Sequence, residues 1–124
     1  MKYIFVCNYG RNRSQSAAKV AREMSLERGL ELETEYMALF PEESPEYEEK
    51  ARRILEESDR IFVMTPEMKE IVRARYFISR RKITCLNVED DYDCYGPCGP
   101  KIREMLENEL RKRLKRVLFR NQGK

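Results

Sequence analysis

The run Ile61-Phe62-Val63-Met64 constrains the fold most. Four apolar residues without polar alternation read as a strand buried on both faces, the situation of a strand inside a parallel sheet. Thr65 and Pro66 come next, a capping residue and the favoured first proline of a helix. The same strand-then-helix order recurs along the chain. Residues 2–6 form a first strand, and Ala17, Val20, Ala21 and Met24 recur at helical spacing until Gly29 stops the helix. Residues 30–37 read as a second strand at a sheet edge. Ser44 and Pro45 open a helix to about Glu57, with Tyr47, Ala51, Ile54 and Leu55 turned inward. Residues 60–64 form the third strand and residues 66–76 a helix. Residues 82–88 form the fourth strand, and residues 100–119 a long last helix with Ile102, Met105, Leu106, Leu110, Leu114, Val117 and Leu118 along one side. Strand and helix alternate four times, which gives an α/β chain with a parallel sheet, right-handed crossovers and helices on both faces. The segments after the first and fourth strands then open at the same end of the sheet.

The chain has 124 residues, enough for one domain with a real core and too few for two. The expected division is one domain over residues 1–120 and a frayed tail over 121–124. No apolar run is long enough to cross a membrane, and the N-terminus enters a strand without a secretory pattern, so the expected location is cytoplasmic. Four cysteines at 7, 85, 94 and 98 do not force a disulfide framework at this size. There is no histidine, which removes His-based nucleophile activation and every His-containing metal site. Paired Cys-x2-Cys knuckles are lacking too, so no metal or other cofactor is expected. With 25 basic and 22 acidic residues the net charge is +3. Basic residues gather at 73–82 and 111–120, but no aromatic interleaving or reading helix accompanies them. A solvated helix face accounts for them better than a nucleic-acid surface does.

The stretch Cys7-Asn8-Tyr9-Gly10-Arg11-Asn12-Arg13-Ser14 lies between the first strand and the first helix. A strand, a tight polar turn and a helix start make an anion cradle, with backbone N–H groups and the helix N-terminus converging on an oxyanion. A cysteine at the entrance would be held as thiolate by the same field and could attack phosphorus. Arg13 can grip two phosphoryl oxygens with its planar fork. Ser14 can donate a hydroxyl to the thiolate. The bare Cys-x5-Arg pattern also fits a buried, idle cysteine beside a basic turn, and position at the C-terminal end of a strand is what favours the cradle.

Cleaving an ester needs a proton for the leaving oxygen. Glu89, Asp90, Asp91 and Asp93 come after the fourth strand at the correct sheet end, and Tyr92 and Tyr95 could wall a pocket for a ring. An acidic surface turn is the alternative reading of the same residues.

These motifs together resemble the low-molecular-weight protein tyrosine phosphatases, and more closely their short microbial relatives. The matching residues are Cys7, Arg13 and Ser14, then Asp90 and Tyr92, with Ile61 to Met64 similar to the third strand of that family. The resemblance spans almost the whole chain. It implies a three-layer sandwich whose four-stranded parallel sheet has the order 2-1-3-4. It implies hydrolysis of phosphate monoesters of the protein-tyrosine-phosphate type through a cysteinyl-phosphate. Cys7 is then the nucleophile, Arg13 binds phosphoryl oxygens and Asp90 is the general acid. Asn8, Tyr9, Gly10, Arg11, Asn12 and Ser14 line the phosphate, and Tyr92 flanks the ring. The implied partner is a phosphorylated tyrosine protein or a small phosphate ester; monomer or dimer stays open. Gly10 stands where the family carries a bracing asparagine, and Asn12 where classical members often carry a second cysteine. Two alternatives remain: a thiol-coupled arsenate reductase using Cys94 and Cys98, and a catalytically weak phosphate-binding module.

Overall fold

Strand β1 (Lys2–Cys7) is followed by helix α1 (Arg13–Glu27), β2 (Glu33–Ala38), α2 (Pro45–Glu57), β3 (Arg60–Val63), α3 (Pro66–Tyr76), β4 (Ile83–Cys85) and α4 (Pro100–Leu118). The structure is a computed structural model that describes residues 1–7, 13–38, 45–88 and 100–118. All strand pairs are parallel, and the sheet order is β2-β1-β3-β4. The expected α/β sandwich and its order 2-1-3-4 are therefore what the chain adopts. The expected tail over 121–124 lies outside the described residues.

β1 is central, and Ile4, Phe5 and Val6 are fully buried, as are Ile61, Phe62 and Val63 beside them in β3. Register sets Phe5 against Phe62, whose rings stack with centroids 5.0 Å apart, and Tyr3 tilts against Phe62 at 5.5 Å. Burial of these side chains on both faces of β1 and β3 supplies the hydrophobic drive for the sheet. Arg60 closes one layer. Its guanidinium lies over the Phe62 ring at 4.9 Å, donates to the Val117 carbonyl of α4 at 3.0 Å and donates to Thr84 Oγ1 at 3.2 Å.

Helix α1 buries Ala17, Ala18, Val20, Ala21 and Met24. It ends where the sequence places its glycine. Gly29 takes φ +68°, Leu30 N–H donates to Ser25 O at 2.9 Å and Gly29 N–H to Leu26 O at 3.1 Å, the paired bonds of a Schellman cap. That cap delays β2, read from sequence as residues 30–37. Pairing begins only at Glu33, whose N–H donates to Met1 O at 2.9 Å. In α2, Ala51 and Leu55 are buried and Ile54 packs beside them; Ser44 and the side chain of Tyr47 lie outside the description. Thr65 caps α3 as expected, accepting from Met68 N–H at 3.4 Å.

Two further expectations need correction. β4 is shorter than residues 82–88: Arg80–Lys82 is one turn of 3-10 helix capped by Ser79, and regular pairing stops at Cys85. In α4 the buried line is Leu106, Leu110 and Leu114, at strict four-residue spacing, whereas Met105 is half exposed. A 100° step per residue turns Met105 off that line toward solvent. α4 lies along α1, tied by Lys19–Glu107 at 2.8 Å and by Arg111 to Glu23 and Glu27, each at 3.2 Å.

Candidate active site

The nucleophile candidate ends the most buried strand. Cys7 is the last residue of β1 and is 3 % exposed; Ser14, second residue of α1, is completely buried. Five residues separate β1 from α1, and Cys7 Sγ and Ser14 Oγ stand 3.0 Å apart. The small residues Ala17, Ala18 and Ala21 let α1 approach the sheet, and this approach seats the first turn of α1 beside the end of β1. A buried hydroxyl at this distance from sulfur is a hydrogen-bonding partner for a thiol or a thiolate.

Arg13 is the first residue of α1, so its backbone belongs to the helix N-terminus, the positive end of the helix; its side chain lies outside the description. Asn8, Tyr9, Gly10, Arg11 and Asn12 lie outside the described residues, as do Glu89, Asp90, Asp91, Tyr92 and Asp93. The same is true of Tyr95, Cys94 and Cys98. Of the expected site, the structure thus describes the pair Cys7 and Ser14 and the helix start at Arg13.

Cys85 belongs elsewhere. Register sets Val6, Val63 and Cys85 side by side across three strands. Cys85 therefore shares the face of Val6, and Cys7, one residue further along β1, takes the opposite face. Burial pushes the Cys85 thiol up from its ordinary value, which keeps it protonated and able to donate to Asn87 Oδ1 at 3.3 Å.

The exit from β4 carries a feature that the sequence pattern alone does not reveal. Asn87 has φ +56°. Leu86 N–H donates to Val63 O at 2.8 Å and Val88 N–H to Met64 O at 2.9 Å, so the chain stays bonded to the end of β3 on both sides of Asn87. A lone Asn between two apolar residues was the available signal, because Asn is several-fold enriched at positive φ.

Surface hollows among the described residues include the following. One of about 650 Å³ is lined by Met1, Leu26, Leu30 and Asp59, and one of about 380 Å³ by Met24, Arg28, Arg111 and Lys115. Neither touches Cys7 or Ser14. The larger lies at the start of the strands, the wrong end for a parallel-sheet site. Among the described residues no three His, Cys, Asp or Glu side chains gather as metal ligands, and no helix is long and apolar enough to cross a membrane.

No protein-family model and no curated protein matches the sequence. Solved structures do match its backbone. A low-molecular-weight protein tyrosine phosphatase from T. tengcongensis is 18% identical, with TM-score 0.73, over 97% of this chain and 99% of that one. A protein tyrosine phosphatase from Entamoeba histolytica is 16% identical, with TM-score 0.72, over 99% and 97%. A Cys-to-Ser variant of YwlE arginine phosphatase, with a phosphorylated active-site serine, is 20% identical, with TM-score 0.70, over 100% of both chains. Over nearly its whole length, the chain is similar in fold to low-molecular-weight protein tyrosine phosphatases and to YwlE arginine phosphatase.

Proposed function

We propose that this chain hydrolyses phosphate monoesters of the protein-tyrosine-phosphate type through a cysteinyl-phosphate intermediate. The observation that carries the reading is the buried pair Cys7 and Ser14, 3.0 Å apart, where the end of β1 meets the start of α1. A phosphoryl group bound there would lie beside a helix N-terminus, which favours an anion. The shared fold with phosphatases supports the reading, as does the YwlE variant in which a serine replacing cysteine carries the phosphoryl group.

In the first step the Cys7 thiolate attacks phosphorus, the P–O bond to the leaving group breaks, and Asp90 gives the leaving oxygen its proton. In the second, water attacks the cysteinyl-phosphate, Asp90 accepts the proton of that water, and Cys7 leaves as thiolate with Ser14 hydrogen-bonded to it. Arg13 and the backbone of residues 8–14 hold the phosphoryl oxygens through both steps. Asn8, Tyr9, Gly10, Arg11 and Asn12 form that cradle, and Tyr92 stacks beside the substrate ring. One domain over residues 1–120 carries the activity, in the cytoplasm, on a phosphorylated tyrosine protein or a small phosphate ester.

The test is single-turnover hydrolysis of p-nitrophenyl phosphate with mass analysis of the protein. The intact chain gives turnover and a transient phosphoryl adduct on Cys7, and Cys7→Ser loses turnover. Turnover that survives Cys7→Ser refutes the reading.

A further inference from the structure

Phe77 is 83 % exposed and has φ +56°. An exposed apolar side chain alone is ordinary. An exposed ring on left-handed backbone is not, because a bulky residue is strained there and Gly or Asn fills the position after a helix without strain. Buried neighbours hold the conformation: Tyr76, which closes α3, and Ile78 are 1 % and 7 % exposed. The fold thus keeps a ring in water where a smaller residue would be more stable, and strain held in place in this way clusters at binding sites. Arginines flank the ring along the chain, Arg73 one turn earlier and Arg80 and Arg81 just after it. Arg73 and Arg80 meet on one carboxylate, Glu70, at 2.9 and 3.9 Å. Arg81 is exposed and has no carboxylate partner among the described residues.

We propose that Phe77, Arg80 and Arg81 form a docking surface for an acidic polypeptide segment that carries an aromatic side chain. Each guanidinium can take a carboxylate with its planar fork, and the Phe77 ring takes the aromatic residue. Charge selects this occupant over a lipid surface. Glu56 and Glu57 end α2 and Asp59 follows, all three exposed at the end of the sheet where the strands begin. A flat anionic membrane would meet these carboxylates as well and be repelled, whereas a narrow segment can follow the arginines alone. α3 ends at that same end of the sheet, opposite Cys7, which closes β1, so the surface is separate from the candidate active site. Docking there involves no step of the proposed hydrolysis.

The probe is a fluorescein-labelled random copolymer of glutamate and tyrosine, and its binding to the intact chain is followed by anisotropy. The wild type binds it more tightly than labelled polyglutamate, which lacks the rings. Phe77→Gly weakens copolymer binding roughly 10-fold. Its midpoint of urea unfolding nevertheless stays at or above that of the wild type, since Gly adopts positive φ freely. A ring that served only packing would give the reverse, a lowered midpoint and unchanged binding. Changing Arg80 and Arg81 together to Ala weakens binding too and flattens its dependence on salt. Vesicles of phosphatidylcholine with phosphatidylserine and a single-stranded DNA oligonucleotide, measured at the same salt, bind less tightly than the copolymer. The proposal is overturned by a wild type that does not bind the copolymer, by unchanged binding or a lowered midpoint in Phe77→Gly, or by tighter binding of the vesicles or the oligonucleotide. Anisotropy reads binding alone, so the outcome is separate from whether the chain cleaves phosphate esters.

Discussion

Cys7 Sγ and Ser14 Oγ lie 3.0 Å apart with both residues buried, one closing the central strand and the other in the first turn of α1. A hydrogen bond to a charged partner contributes about 1.5–3 kcal/mol. Ser14→Ala therefore slows turnover roughly 10- to 100-fold on that same scale. On the proposed route Cys7 departs as thiolate in the second step, so that step suffers more than the first. Stopped-flow hydrolysis of p-nitrophenyl phosphate should show a larger burst of p-nitrophenol in Ser14→Ala than in the wild type, followed by a slower steady rate.

The acid assignment separates Asp90 from Asp91 by leaving group. Asp90→Asn slows phenyl phosphate cleavage by roughly 10²–10⁴-fold and an activated ester less. Asp91→Asn leaves the ratio between the esters near that of the wild type. If position 91 carries the leaving-group-dependent loss and position 90 does not, the acid is Asp91.

Cys94 and Cys98 distinguish hydrolysis from thiol-coupled arsenate reduction. Changing both to Ser leaves phosphate-ester cleavage unchanged, and the wild-type chain shows no thioredoxin-linked arsenate turnover. Robust arsenate turnover with formation of a Cys94–Cys98 disulfide would reverse this order.

Burial raises the Cys85 thiol above its ordinary value of 9.0. As pH climbs through that value, the unfolded chain releases this proton before the folded one does, so the Cys85 contribution to stability is intact below it and declines above it. Urea titrations at pH 7 and pH 10 check the sign: the stability difference between wild type and Cys85→Ala shifts in favour of the variant at the higher pH. At pH 8 iodoacetamide should modify Cys85 more slowly than a small-molecule thiol.

Arg60 joins β3 to the last turn of α4 and to Thr84 while lying over two aromatic rings. Arg60→Ala lowers unfolding free energy by about 2 kcal/mol, from a charged hydrogen bond and a cation–π contact. Lys restores only part of this, since one ammonium cannot reproduce the planar fork. The midpoint of urea unfolding measures both.

How far the sequence reaches depends on whether a signal is local. The helix starts at Pro45 and Pro66 are recovered to the residue because proline at the first position fixes a helix start by sterics alone. The adjacency of Cys7 and Ser14 is legible because a strand, five residues and a helix start can close in few ways. β4 is misread because Leu86 and Val88 are buried like strand residues, and only the left-handed backbone of Asn87 reveals the break between them. Met105 is misread because an apolar residue next to the buried line looks the same as one on it. The choice between Asp90 and Asp91 is likewise not local, since it depends on where the chain points after Val88.

Helices can fray and edge strands can open while a protein stays folded, but β1 is flanked on both sides by paired strands and covered on both faces. Its amides should be among the last to exchange with solvent, opening only when the whole domain does. Cys7 is thus moored to the slowest-breathing part of the molecule. Heating should undo the Cys7–Ser14 pairing and the fold in one transition, without an earlier stage in which that pairing is lost from an otherwise intact protein.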